Sequence, residues 1–122
     1  MNEASYTKEH FVPFNGEFIL HPGKFLLGVT LEWMHIPGDL AGYVTGKSSL
    51  GRRGLIIETA AGVQPGFAGC LTLELANVGE VPVRLQPGMP ICQLFLHQTP
   101  SVNENAKSQF KGSRKPSLGK IR

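Results

Sequence analysis

Near the middle of the chain the run Gly46-Lys47-Ser48-Ser49-Leu50-Gly51-Arg52-Arg53-Gly54 concentrates groups that could hold a phosphate. Two adjacent hydroxyls stand beside three cations, and the flanking glycines let backbone come close to an anion. If Ser48 or Ser49 caps a short helix, the unpaired N–H groups of its first turn add to the same anion site. The run is not a Walker A loop. The pattern G-x-x-x-x-G-K-[ST] requires glycine at position 41, which is Ala41, and no long helical pattern follows. The other reading of these residues is a solvated turn whose charges face water.

A carboxylate follows downstream. In Leu71-Thr72-Leu73-Glu74-Leu75-Ala76-Asn77, strand alternation puts Leu71, Leu73 and Leu75 on one face and Thr72, Glu74 and Ala76 on the other. Glu74 is either the solvent-facing group of a half-buried strand or, where that face lines a cleft, a proton carrier. The small residues of Ala60-Ala61-Gly62-Val63-Gln64-Pro65-Gly66-Phe67-Ala68-Gly69 surround a tight turn. They would let a flat ligand such as a pyrimidine reach backbone N–H and C=O groups, or they simply serve a β-hairpin that needs glycine.

Other chemistries find no support. His10, His21, His35 and His97 are scattered without an i, i+4 pair and are expected at the surface or in turns. The zinc-deaminase signature H-x-E with P-C-x-x-C is absent, as is a G-x-S-x-G elbow. The expected chemistry therefore uses water and a carboxylate, with no zinc or other protein-bound transition metal. Cys70 and Cys92 lack a C-x-x-C partner and read as small apolar strand residues in a reducing cytoplasm. No signal peptide or bilayer-length apolar run is present, so a cytoplasmic protein without a membrane partner is expected. The net charge of +3 is uneven, because Lys107, Lys111, Arg114, Lys115, Lys120 and Arg122 share a tail without acidic residues. Such a tail could bind nucleic acid or membrane nonspecifically, or close over a small polyanion.

The elements that must position these groups are strands. A chain of 122 residues with 41% apolar and 17% charged side chains is one globular domain. We divide it into an N-terminal segment (1–17), a core (18–98) and a basic tail (99–122). Pro22-Gly23, Pro37-Gly38, Pro65-Gly66 and Pro87-Gly88 each favour a type II turn, with proline second and glycine supplying positive φ at the third position. Strand candidates are Phe18–Leu20, Phe25–Leu31, Gly42–Thr45, Leu55–Ile57, Cys70–Leu75, Val81–Leu85 and Ile91–Leu96. With no amphipathic helix of useful length, this pattern is an all-β barrel or sandwich. Leu20-His21-Pro22-Gly23 and Leu85-Gln86-Pro87-Gly88 are alike, which suggests paired corners of one sheet system.

In this order the motifs resemble the dCTP deaminase and trimeric dUTPase superfamily, on its deaminase branch, from about Phe18 to Leu96. Gly46–Arg52 is similar to a G-[KR]-S-S-L-x-R phosphate motif, and Ala61–Gly69 to an A-G-x-I-D-P-G-[FW]-x-G hairpin. Leu71–Leu75 is similar to the strand bearing a catalytic glutamate, and Leu85–Leu94 to an L-x-P-G-M-x-I-x-Q-L segment. Leu20–Gly23 with Val29–Glu32 is similar to the strand pair before the phosphate motif.

The resemblance implies a dUTPase-like β-clip, a distorted jelly-roll barrel, assembled as a homotrimer with active sites between subunits. It implies a pyrimidine deoxynucleoside triphosphate substrate accompanied by Mg2+, and no specific nucleic-acid partner. Ser48 and Arg52 take the places of the catalytic serine and arginine, with Lys47 and Ser49 beside the triphosphate. Glu74 takes that of the general base, deprotonating a water that attacks cytosine C4 and passing the proton toward N3 and the leaving amine. Ala61, with Ala60 as a near alternative, matches the carbonyl that helps hold the water. Gly62, Val63, Gln64 and Gln93 fall on substrate-binding positions. So do Phe110 and Arg114, in a tail that resembles a lid folding over nucleotide.

Departures from the pattern shape the expected product. Gln64 stands where the superfamily has aspartate, and the hairpin is one residue shorter. An amide cannot accept the proton of a water attacking the α-phosphate, so the expected reaction is dCTP to dUTP and ammonia. The alternatives are a dUTP diphosphatase or bifunctional enzyme, and a non-catalytic nucleotide-binding homologue. Gln109, Phe110 and Ser113 stand where lysine, tyrosine and glutamine are usual, which implies altered triphosphate and base contacts. The region that full-length members place before Leu20–Gly23 is largely absent, which implies a smaller trimer core.

Overall fold

The computed structural model describes residues 8–58 and 62–100. These form short strands in sequence: β1 (Phe18–Leu20), β2 (Phe25–Val29), β3 (Met34–His35), β4 (Leu40–Gly46), β5 (Leu55–Glu58), β6 (Ala68–Gly69), β7 (Thr72–Asn77), β8 (Val83–Leu85) and β9 (Cys92–Gln98). A four-residue helix, α1 (Ser48–Gly51), interrupts them between β4 and β5. Every expected strand is present, Phe18–Leu20 with the same bounds and the others with shifted ends. The sequence reading missed β3 and β6, which pair only with each other. Two residues are too few for alternation to show in a sequence.

The central sheet is antiparallel in the order β2-β7-β5. Its pleat follows the expected alternation. Leu73, Leu75 and Asn77 of β7 are buried, together with Leu55 and Ile57 of β5, while Thr72, Glu74 and Ala76 are half-buried on the opposite face. The buried face packs with Leu20, Leu50 and Val83 into one core cluster, and Ile36, Val63 and Phe67 form a second. Each fully buried Leu or Ile of these clusters contributes about 1.5–3 kcal/mol by leaving water. The longest ladder joins β4 to β9, from Leu40↔Gln98 to Gly46↔Cys92.

The two similar corners do belong to one sheet system. β1 pairs with β8, Leu20 opposite Val83 and Phe18 opposite Leu85, so the corners leave from opposite ends of the same antiparallel pair. Three of the four Pro-Gly turns form as expected. Gly23, Gly66 and Gly88 have φ of 79°, 81° and 84°, and the closing bonds are Lys24 N–H to His21 O, Phe67 N–H to Gln64 O and Met89 N–H to Gln86 O. The fourth is different. Leu40 N–H donates to Pro37 O, so the turn starts one residue later, with Pro37 first and Gly38 second, and Gly38 is not among the positive-φ glycines.

One buried polar residue ties this architecture together. Asn77, 1% exposed, donates from Nδ2 to Leu20 O (2.9 Å) and Val81 O (2.8 Å), and its Oδ1 accepts from Gly79 N–H (2.9 Å). The turn it braces lies against Gly54, whose φ is +98° and whose missing Cβ would sit 2.5 Å from Gly79 Cα.

Candidate functional site

The basic run is displayed by a short helix with one apolar anchor. β4 ends at Gly46, and Lys47 N–H donates to Ile91 O (2.9 Å). Leu50, 8% exposed, points into the core, which leaves Lys47, Ser48, Ser49, Arg52 and Arg53 exposed. The helix closes through Gly51 N–H to Lys47 O and Arg52 N–H to Ser48 O, both 3.0 Å. Neither serine caps it. The N-cap is Lys47, in extended conformation and without a side-chain cap bond, because the helix starts at Ser48 itself.

Glu74 lies in the middle strand of the central sheet, opposite Leu27 of β2 and Glu58 of β5. Its outward face also carries Phe25, 60% exposed, and Ile56, 40% exposed. α1 and Glu74 stand at opposite ends of β5. The strand begins at Leu55 opposite Asn77, and Glu58 opposite Glu74 is three residues further on, about 10 Å at ~3.3 Å per residue. The register therefore sets the Ser48–Arg52 run and Glu74 at different places along β5 within one chain.

The small-residue turn is held by a different partner than a hairpin would supply. Val63 is buried and exchanges two backbone bonds with Gly42 (2.9 and 2.6 Å), whereas Ala68–Gly69 pairs with β3. The arms of the turn thus go to separate strands, which corrects the hairpin reading. A Cβ on Gly62 would lie 2.6 Å from Gly42 O, so only glycine fits this approach. Gln64 is exposed at the first turn position. Ala61, Phe110, Arg114 and the rest of the basic tail lie outside the described residues.

Gln93 is exposed on the outer face of the β4–β9 ladder, opposite Thr45. The same face carries a stack that sequence reading missed, with Tyr43 against Phe95 (centroids 5.3 Å) and against His97 (5.2 Å). The signal was the shared parity of 41, 43, 45 and 93, 95, 97, legible only once β4 and β9 are known to pair. All four histidines are exposed, as expected.

A cavity of about 420 Å3 opens elsewhere, on the core side of the central sheet among Leu26, Leu73, Leu75, Met89 and Ile91. None of the described candidate site residues, from Lys47 to Gln93, lines it. Cys92 and Glu32 do. Burial, and secondarily the Glu32 carboxylate, push the Cys92 thiol up from its ordinary range. In a Cys70→Ala background, thiolate absorbance should therefore rise at higher pH in folded than in unfolded protein, and Glu32→Gln should bring the folded midpoint down. The sign for stability follows. The unfolded thiol ionises first, so the contribution of Cys92 is present below its unfolded pKa and is lost as pH rises through the folded one.

Among the described residues no three His, Cys, Asp or Glu side chains converge on a metal-sized site, and no helix is long and apolar enough to cross a membrane.

Comparison with known proteins bears on this arrangement. The family described as dCTP deaminase-like matches residues 1–99. The chain is 49% identical over 116 residues to a protein of Rhodococcus erythropolis named "dCTP deaminase, dUMP-forming", covering 88% of this chain and 61% of that protein. A protein of Mycobacterium tuberculosis with the same name is 48% identical over 112 residues, covering 85% and 59%. The chain thus spans about three fifths of the length of these curated relatives. Among solved structures, the EIAV dUTPase matches with a TM-score of 0.62 at 25% identity, over 82% of this chain and 81% of that one. The 2'-deoxycytidine 5'-triphosphate deaminase of Agrobacterium tumefaciens matches with a TM-score of 0.64 at 27% identity, over 70% and 27%. The all-β chain has the dUTPase-like β-clip fold. The dUTP product expected above does not stand, because the relatives are named as forming dUMP.

Proposed function

The chain belongs to the dCTP deaminase-like family, and from that premise we propose that it is a hydrolase of nucleotide metabolism that converts dCTP and two waters to dUMP, ammonia and pyrophosphate. One water attacks C4 as the amine leaves, and the second attacks the α-phosphorus as pyrophosphate leaves. The observation that carries this reading is Glu74, half-buried in the middle strand of the sheet, on an outward face with apolar neighbours. Hydrolytic deamination needs such a group, because water is a poor nucleophile and the amine leaves only when protonated. Glu74 takes a proton from the water attacking C4 and returns it toward N3 and the departing amine. Ser48, Arg52, Lys47 and Ser49 hold the triphosphate, with the Ala61 carbonyl on the water. Gly62, Val63, Gln64 and Gln93 contact the nucleoside, and Phe110 and Arg114 act in a tail (99–122) that closes over it.

The site is composite, formed between copies of a homotrimer. Two facts support this. Glu74 and α1 are separated along β5, and Phe25 and Ile56 leave apolar surface beside Glu74 for another chain to cover. Mg2+ would come with the nucleotide triphosphate rather than sit in a site built by protein side chains, and would supply counter-charge to the phosphates. The two free cysteines suit a cytoplasmic setting.

The experiment is to incubate the protein with dCTP and Mg2+ and to measure ammonia, pyrophosphate and the nucleotide product. Equal release of ammonia and pyrophosphate with dUMP is the expected result. Ammonia without pyrophosphate overturns the product, and nucleotide binding with neither product overturns the enzymatic reading.

A further inference from the structure

Resting on that reading of Glu74, we propose that Glu58 is a specificity residue that accepts a hydrogen bond from the exocyclic amine of the cytosine. The β5–β7 register sets Glu58 directly opposite Glu74, on the same outward face. Directly opposite residues of an antiparallel pair hold their Cβ atoms about 4.5–5.5 Å apart. Two glutamates so placed reach the same edge of one planar ring. With Glu74 at C4, Glu58 is at the base end too, and the α-phosphate lies beyond the sugar.

The pair has no evident structural return. Like charges directly opposite one another destabilise a sheet, and among the described residues no ion pair reaches either glutamate, the Arg84–Glu17 bridge being elsewhere. A ligand with N–H donors relieves that repulsion. The C4 edge of cytosine offers an amine that a carboxylate accepts from, whereas uracil puts an acceptor oxygen in its place. Glu58 thereby favours the cytosine nucleotide over its uracil counterpart when the substrate enters. It forms no bond and keeps no proton; the proton stays with Glu74.

The test compares wild type with Glu58→Gln and Glu58→Ala, measuring dCTP and dUTP affinities by calorimetry alongside kcat, KM and the thermal midpoint. Glu58 is exposed at a strand end, so both variants should fold, with a midpoint at or above wild type. The preference for dCTP over dUTP should fall about tenfold in each variant, with the loss in KM rather than kcat. A merely structural carboxylate would leave that preference unmoved. Variants that keep it within about twofold, or a wild type without any preference, overturn the proposal. If wild type binds dCTP selectively but releases no ammonia, the deaminase reading fails, and the calorimetric comparison still decides the role of Glu58.

Discussion

Glu74→Gln is expected to cut ammonia release from dCTP by about 10^2- to 10^4-fold in kcat, the usual contribution of a positioned acid–base group. Glutamine keeps the shape of the side chain but cannot take a proton from water. The fold should survive the change. The packing of β7 rests on Leu73 and Leu75 on the other face, at 3% and 2% exposure, and the substitution also removes one charge of the Glu58–Glu74 pair. Nucleotide affinity should stay within about threefold, because the interaction removed is one realised in the transition state. Co-expression adds a second readout. Mixed trimers of Glu74→Gln and Arg52→Ala chains should regain activity that neither variant has alone, since the register puts these residues at separate places in one chain. A variant with kcat within about threefold of wild type would remove Glu74 from the mechanism.

How far the sequence reached can be judged on particular residues. The face carrying Glu74 was legible because Leu71-Thr72-Leu73-Glu74-Leu75 alternates strictly, and alternation is a property of the strand alone. The turns at Gly23, Gly66 and Gly88 were legible because proline and glycine fix φ locally. What the reading missed depends on partners far away in the chain. Glu58 meets Glu74 across a sheet, Tyr43 meets Phe95 and His97 across another, and Val63 leaves its expected hairpin for Gly42. The Pro37-Gly38 turn slipped by one residue, with its closing bond made by Leu40, where β4 begins and pairs with β9. The product was misjudged for another reason. One amide at position 64 was read as deciding a reaction that also depends on what surrounds it.

Asn77 is the residue whose importance nothing in the sequence announced, and Asn77→Leu is expected to be the most destabilising of the substitutions considered. The amide donates to two carbonyls and accepts from one N–H, which uses both ends of the group in a site 1% exposed. Leucine fills similar space but leaves Leu20 O, Val81 O and Gly79 N–H without their partner. At about 1–3 kcal/mol for each of the three stranded groups, the loss is on the order of 3–9 kcal/mol, a large part of the 5–15 kcal/mol typical of a domain. The thermal midpoint, read by circular dichroism at fixed protein concentration because assembly shifts it, should drop by more than about 10 °C. A drop under about 3 °C would show that water or local relaxation satisfies these groups. Asn77→Asp should also destabilise, because it keeps the acceptor for Gly79 but sets a carboxylate oxygen against two carbonyls. The effect reaches the site through register. Asn77 is opposite Leu55 at one end of the β5–β7 ladder, and that pairing carries Glu58 to its place opposite Glu74 at the other end. Loosening the polar pin should therefore blunt catalysis and base discrimination together, at temperatures where the protein is still folded.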